Sequence, residues 1–309
     1  MIAIIICCVI IALILIYILI GFILRYFVSS NKALTKIKNR EGEINNDFAI
    51  QEDADWFEHN TNENLYIKSF DKKELKGYLF RSKNKSHLYM IYAHGWLGRP
   101  VEKTAILRRF YEDLDINILI IEQRGQNSSQ IKYISWGSSE GKDIISWCKY
   151  IEKLDSKASI ILYGQSMGAA SIMYSMSFGN TKSTIGIIED CGYLSIKKQF
   201  ISTASPYTGK LIANLFTPSL CFALWITGTS FFKNNPLIGI KKNIIPFLAI
   251  HGTADELVPF SNFETINKEV NNKCIFKSKQ FNNAKHACSC VVDLESYISL
   301  VENFIKSIY

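Results

Sequence analysis

Apolar positions along this 309-residue chain fall into three regimes. From Ile2 to Leu24 there is no charged residue, and at about 1.5 Å of rise per residue the run is long enough to cross a hydrocarbon core of about 30 Å. The flanking G-F-I-L-R-Y-F-V, from Gly21, lacks the small-residue cleavage point of a removable signal peptide, and no basic leader precedes the run. Residues 1–24 therefore read as a retained, single-pass transmembrane anchor. Asn31 to Thr61 is charged, rich in asparagine and short of periodic apolar positions until Trp56 and Phe57, which gives a juxtamembrane tether over 25–62. Residues 63–309 carry the patterning of a folded domain.

That domain opens with L-Y-I-K-S-F and E-L-K-G-Y-L-F, two alternating runs split by D-K-K, as in a hairpin. Strand and helix patterns then take turns: strand 87–93, helix 101–113, strand 117–122, helix 139–153, strand 159–164, helix 167–178, strand 184–189. Such alternation predicts an α/β fold with a mostly parallel, doubly wound sheet, whose ligand sites lie beyond the carboxyl ends of the strands. The alternation fails between Ser195 and Lys242. There an aromatic, apolar segment is interrupted at Thr217, Pro218 and Ser219 below spanning length, which favours a helical cap over about 195–242 rather than a second membrane hairpin. Phe222 and Trp225, three apart, share a helix face in this reading; they are candidate substrate contacts, with mutual packing as the plainer alternative.

One strand end carries the sharpest chemical signal. Residues 160–170, I-I-L-Y-G-Q-S-M-G-A-A, run from apolar strand into G-x-S-x-G and then into small, helix-compatible residues. A serine on so tight a strand-to-helix turn needs neighbours without Cβ atoms, here Gly164 and Gly168 around Ser166. Downstream, N-I-I-P-F-L-A-I-H-G-T-A-D-E-L-V-P offers Asp255 after a strand, and N-N-A-K-H-A offers His286 after another. The order Ser, Asp, His suits a nucleophile, the acid that orients its base, and the base. Two amides would hold an oxyanion: that of Met167 at the helix start, and that of Trp96 in the loop after L-Y-M-I-Y-A-H-G-W-L-G begins. Asp190 also follows a strand and is the rival acid. His94 and His251, beside glycines, read as turn-shaping or strand-end hydrogen bonders. The string His286, Cys288, Cys290 has metal-ligand chemistry but no second ligand pair, so no metal is expected.

With these strings in place, the chain resembles serine hydrolases of the α/β-hydrolase superfamily, and more narrowly bacterial membrane-associated members whose elbow reads G-x-S-M-G-A and whose later strand ends E-D-C-G-Y, here Glu189 to Tyr193. The resemblance runs from about Asn64 to the carboxyl terminus. It implies cleavage of acyl esters through an acyl-enzyme, without metal or organic cofactor, on a small-molecule or lipid ester. Thioesterase or peptidase-like acyl hydrolysis, and a non-catalytic membrane module on the same fold, are the alternatives. The chain departs from the superfamily's D-x-R-G-H-G-x-S with E-Q-R-G-Q-N-S-S from Glu122 to Ser129, a change that bears on the shape of the pocket.

Charge adds orientation and partners. Arg25, Lys32, Lys36, Lys38 and Arg40 follow the span and no lysine or arginine precedes it, which by the positive-inside bias leans the catalytic domain toward the cytoplasm. The net charge of +7 comes in good part from these residues and suits an anionic lipid surface rather than nucleic acid. Six of the eight cysteines lie outside the span, and a domain of this size has no need of a disulfide framework.

Overall fold

The structure, a computed structural model, describes residues 1–34, 51–60, 63–270, 272 and 274–309. Its centre is an eight-stranded sheet in the order β1-β2-β4-β3-β5-β6-β7-β8. The strands are β1 (Glu63–Lys68), β2 (Glu74–Phe80), β3 (Leu88–Ala93), β4 (Asn117–Ile121), β5 (Ser159–Gln165), β6 (Thr184–Asp190), β7 (Phe247–Gly252) and β8 (Phe276–Phe281). β2 runs antiparallel to both β1 and β4, and every other neighbouring pair is parallel. β3, β4 and β7 are buried at every position, which is why their sequences are continuous apolar runs, whereas β1 at the edge alternates.

Two apolar layers flank the sheet. One joins Ile144, Trp147 and Ile151 of α4 (Ser138–Leu154), Ile172 and Met173 of α5 (Met167–Phe178) and Ile266 of α9 (Ser261–Glu269) to strand residues such as Ile91 and Leu162. The other joins Ile106 and Phe110 of α3 (Thr104–Leu114) and Val301 and Phe304 of α11 (Leu294–Lys306), which follows the short α10 (Ser289–Val292), to Met90, Tyr163 and Leu248. Adjacent strand residues thus serve opposite layers, as the period of two requires. The mostly parallel doubly wound sheet read from the sequence is what forms.

α1 (Ile2–Ser29) extends past the expected span; it is exposed at every residue from Ile2 to Ile16, and Gly21 and Ser29 are buried. Its end is docked on the domain: Trp136 Nε1 donates to Ser29 Oγ at 3.0 Å, Ser30 bridges to Tyr133, and Leu34 is buried beside Ile134 and Trp136. Of the tether, residues 35–50, 61 and 62, with Lys36, Lys38 and Arg40, lie outside the described residues. Residues 51–60 form α2 (Gln51–Asn60), with Trp56 stacked on Phe80 at 5.1 Å and Phe57 edge-on to Tyr78 at 5.1 Å.

The cap region is helical, with α6 (Ile196–Thr208), α7 (Lys210–Ile226) and α8 (Pro236–Lys242). One expectation there is corrected: Thr217, Pro218 and Ser219 do not split the segment, because α7 is continuous with Pro218 inside it. Its 17 residues still fall short of the roughly 20 needed to span a bilayer.

Candidate active site

Backbone sterics make the site. Ser166 stands between β5 and α5 at φ 56°, ψ −118°, a conformation that L-residues rarely adopt. The strain is held in place by its two glycines. A Cβ on Gly168 would sit 1.9 Å from the Ala93 carbonyl oxygen, and one on Gly164 would sit 2.6 Å from the Ala169 nitrogen. β3 and α5 therefore approach each other as closely as backbone allows. Parallel register aligns Ala93 with Gly164 and Gln165 with Asp190, so the loops after β3, β5 and β6 open at the same edge. That edge lies where strand order reverses around β3 and β5, the position where doubly wound sheets place their ligands.

The side chains of Ser166, His286 and Asp255 meet there. Ser166 Oγ lies 2.9 Å from His286 Nε2, and His286 Nδ1 lies 2.7 Å from Asp255 Oδ2. Asp255 Oδ1 accepts from the amides of Leu257 and Val258 at 3.0 and 2.8 Å. With a carboxylate on one side, Nδ1 is the donor, which leaves the lone pair of Nε2 facing the serine hydroxyl. Burial pushes the Asp255 carboxyl upward, yet hydrogen bonds from His251 and His286 outweigh it and hold the group at about 2. The acid stays ionised throughout the physiological range.

Asp190, the rival acid, has other partners. Its Oδ2 accepts from the Tyr297 hydroxyl at 2.9 Å and from Gln165 Nε2 at 3.2 Å, and Tyr297 shares a 2.5 Å contact with the Tyr163 hydroxyl. The amide of Trp96 belongs to the loop after β3, which crosses Ser166: a Cβ on Gly95 would lie 3.7 Å from Ser166 Oγ. The amide of Met167 opens α5 directly after the serine.

Among solved structures, the Pyrococcus furiosus esterase Pf2001 matches with a TM-score of 0.64 at 20% identity, over 80% of this chain and 90% of that one. The α/β hydrolase GrgF from a Penicillium species matches at 0.60 and 13% identity, over 80% and 98%. A Pyrococcus horikoshii acylaminoacyl peptidase matches at 0.58 and 15%, over 80% and 41%. The chain has the α/β-hydrolase fold. No family model matches it. Of curated proteins, bem46 of Schizosaccharomyces pombe is 28% identical over 199 residues, 64% of this chain and 62% of that protein. The uncharacterized membrane protein YNL320W of Saccharomyces cerevisiae is 28% identical over 154 residues, 50% of this chain and 49% of that one. The chain spans less than two thirds of the length of either relative it matches.

Within this α/β-hydrolase fold, Phe222 and Trp225 show the mutual packing that is the plainer alternative to substrate contact. They pack on each other, with ring centroids 6.1 Å apart, and Trp225 is exposed. The α7 residues that join Met167, Trp136, Phe200 and Val258 in one apolar cluster are Leu220 and Leu224. At 3.6 residues per turn, positions 220 and 224 share a face that 222 leaves. For two contributions the residues were legible in the sequence and their partners were not. His251, fully buried, lies with Nε2 3.3 Å from Asp255 Oδ2 and 3.0 Å from the Val258 carbonyl oxygen. Burial lowers its pKa, but the hydrogen bond to Asp255 and the field of Glu189 raise it further than that. In the divergent loop, Gln126 Oε1 accepts from the Leu97 amide at 2.6 Å, and Asn127 Nδ2 donates to the Gly98 carbonyl at 2.9 Å. His94 is held behind them, accepting at Nε2 from the Gln123 amide at 3.2 Å.

The metal question shifts to another set of residues. Among the described residues, the donors that gather are Cys191, Asp255 and His286, all within 4.8 Å of one another. Both nitrogens of His286 already face Asp255 and Ser166, and burial drives the Cys191 thiol well above its ordinary pKa. Such a donor set suits a proton relay better than a cation.

Proposed function

We propose that the protein is a membrane-tethered serine hydrolase that cleaves carboxylic esters through an acyl-enzyme. One observation carries the reading: the continuous chain from Ser166 Oγ to His286 at 2.9 Å and from His286 to Asp255 at 2.7 Å, built on a serine at φ 56°. His286 takes the serine proton at Nε2 as Oγ attacks the ester carbonyl, and returns it to the departing alkoxide. Water then repeats the sequence on the acyl-enzyme. Asp255 fixes the imidazole tautomer and stabilises the imidazolium, and the amides of Trp96 and Met167 receive the oxyanion. The esterase and the peptidase that share the fold support hydrolysis in general, and a substrate panel distinguishes the leaving group.

Tethering rests on α1, 28 residues long, uncharged from Ile2 to Leu24 and exposed at every residue from Ile2 to Ile16. Lipid is the solvent such a surface requires. The basic residues after it favour a cytoplasmic domain, and protease added to intact cells should then leave the domain whole. A fluorophosphonate probe should label the wild-type chain at Ser166 and not Ser166→Ala, with matching loss of turnover on a panel of p-nitrophenyl esters, thioesters and aryl amides. A folded wild-type protein that takes no label would remove the serine mechanism and leave the binding-module alternative.

A further inference from the structure

The cap hairpin carries an apolar surface that the proposed chemistry does not use. α6 and α7 meet at Gly209, and around that turn Tyr207 is 88% and Leu211 83% exposed, with Ile212 and Leu215 exposed beside them. Across residues 199–232, Lys210 is the one charged residue. α7 also lies along α1. The Tyr17 hydroxyl donates to the Leu215 carbonyl at 2.6 Å, Ser219 Oγ donates to the Tyr17 carbonyl, and the rings of Tyr17 and Phe216 stack at 6.3 Å. Contact is tightest at Gly21, where a Cβ would fall 2.3 Å from the Ser219 carbonyl oxygen. Farther along, Leu24 and Val28 of α1 join the cluster of Leu220 and Leu224. The two helices therefore run in the same direction. The turn at Gly209 projects away from the domain, beside the part of α1 that is exposed at every residue from Ile2 to Ile16.

Helix geometry gives the depth. The Arg25 guanidinium sits 4.0 Å from the centroid of the Tyr133 ring. It lines a cleft of about 830 Å³ whose other cations are Lys68, Lys73, Arg124, Lys132 and Lys142, against Asp71 and Glu74. That balance of charge suits the headgroup layer. Tyr17 precedes Arg25 by eight residues, or about 12 Å at 1.5 Å each, and Leu211, four residues before the Leu215 that Tyr17 touches, lies about 6 Å deeper. With Arg25 in a headgroup layer roughly 5–7 Å thick, both fall within the roughly 15 Å of one hydrocarbon leaflet.

We propose that the α6–α7 hairpin is immersed in the acyl-chain layer of the leaflet from which the domain emerges, so that anchor and cap form one bilayer-embedded unit. The inference rests on α1 being a membrane span. Its occupant is lipid because the exposed face is continuous with that span: side chains beside a lipid-solvated helix, at the same depth, meet the same solvent. Lys210 opposes this placement and is outnumbered by the apolar side chains around it.

The test uses the full-length protein in phosphatidylcholine vesicles, with the photocrosslinker p-benzoylphenylalanine placed in turn at Ile10 in α1, at Leu211 in the hairpin and at exposed Leu154 on the far end of α4. Ile212 serves as a second hairpin position, and circular dichroism checks the folding of each variant. Irradiation and mass spectrometry should find lipid adducts at positions 10, 211 and 212 and none at 154. Adducts at 10 alone would overturn the immersed hairpin and leave the anchor standing. Crosslinks from 211 to a second copy of the chain would overturn it in favour of a protein interface. Absence of adducts at 10 and 211 alike would overturn the anchor reading and the hairpin with it.

Discussion

Asp255→Asn should separate the chemical role of this residue from its structural one. Asparagine keeps an oxygen for the Leu257 and Val258 amides, at 3.0 and 2.8 Å, so the loop after β7 retains its shape. Its amide nitrogen then takes the place of Oδ2 and donates where His286 Nδ1, at 2.7 Å, and His251 Nε2, at 3.3 Å, need an acceptor. His286 relieves the clash by moving its proton to Nε2, and Ser166 Oγ at 2.9 Å then faces a donor instead of a base. The same tautomer switch in another Ser-His-Asp enzyme costs about 10⁴ in kcat, and a loss of that order is expected here. Stability follows separately. The Asp255 carboxyl is depressed from 3.8 to about 2, a shift worth about 2 kcal/mol. A depressed acid contributes stability above its unfolded pKa and loses it as pH falls through the folded one. The detergent-solubilised variant should therefore unfold in less urea than wild type at pH 7, and the two should converge as pH falls from about 4 toward 2. Turnover is read on a p-nitrophenyl ester beside the unfolding curves. Wild-type kcat in a less stable variant would refute the orienting role, and equal stability at pH 7 would refute the electrostatic one.

Further perturbations bear on the loops around the serine. Glu189 is raised to about 8 by burial, against the opposing field of His251 and the Gly192 amide. A raised acid stabilises fully below its unfolded pKa, so stability should fall as pH rises from about 4.5 to 8; Glu189→Gln should flatten that slope in urea titrations, and an unchanged slope would assign it to another group. Gly168→Ala places a Cβ 1.9 Å from the Ala93 carbonyl oxygen, and it should cost more than about 4 kcal/mol or prevent folding, as calorimetry would show. Gln126→Ala removes the 2.6 Å acceptor of the Leu97 amide and should lower kcat about tenfold with little change in KM; an unchanged kcat would separate that loop from the oxyanion.

Legibility in the sequence tracked the range of the physics involved. Gly164, Ser166 and Gly168 announce themselves because a local backbone conformation and two close approaches admit little else. The strands that present the site were readable for a similar reason: positions buried on both faces must be apolar throughout. The choice between Asp190 and Asp255 was not local. Each follows a strand, and what separates them is that Tyr297, far along the chain in α11, takes up the carboxylate of Asp190 while Leu257 and Val258 turn that of Asp255 toward His286. No spacing rule encodes that selection. The same holds for Gln126, whose acceptor role depends on a loop that only the β3–β4 pairing brings near.

The cap shows where a sound local rule is overridden. Proline inside a helix forfeits one hydrogen bond and crowds the carbonyl four residues back, so Pro218 reads as a break. In the structure α7 continues through it, with the ring and Asn214, whose carbonyl it crowds, both on the exposed side of the helix. On the opposite side Thr217, Ser219, Leu220 and Leu224 are buried, and Ser219 is bonded to Tyr17 of α1. Packing along that buried face repays the missing bond, since tertiary contacts supply most of the stability of a helix of this length. Continuity has a consequence for the site. A helix broken at 217 would detach the Leu220 and Leu224 face from the segment that lies along Tyr17, whereas an unbroken one carries the contact from α1 into the cluster that holds Met167. α7 and α1 are thereby mechanically joined beside the serine, and any movement of α7 away from the serine must also slide it along Gly21, where the backbones leave no room for a Cβ.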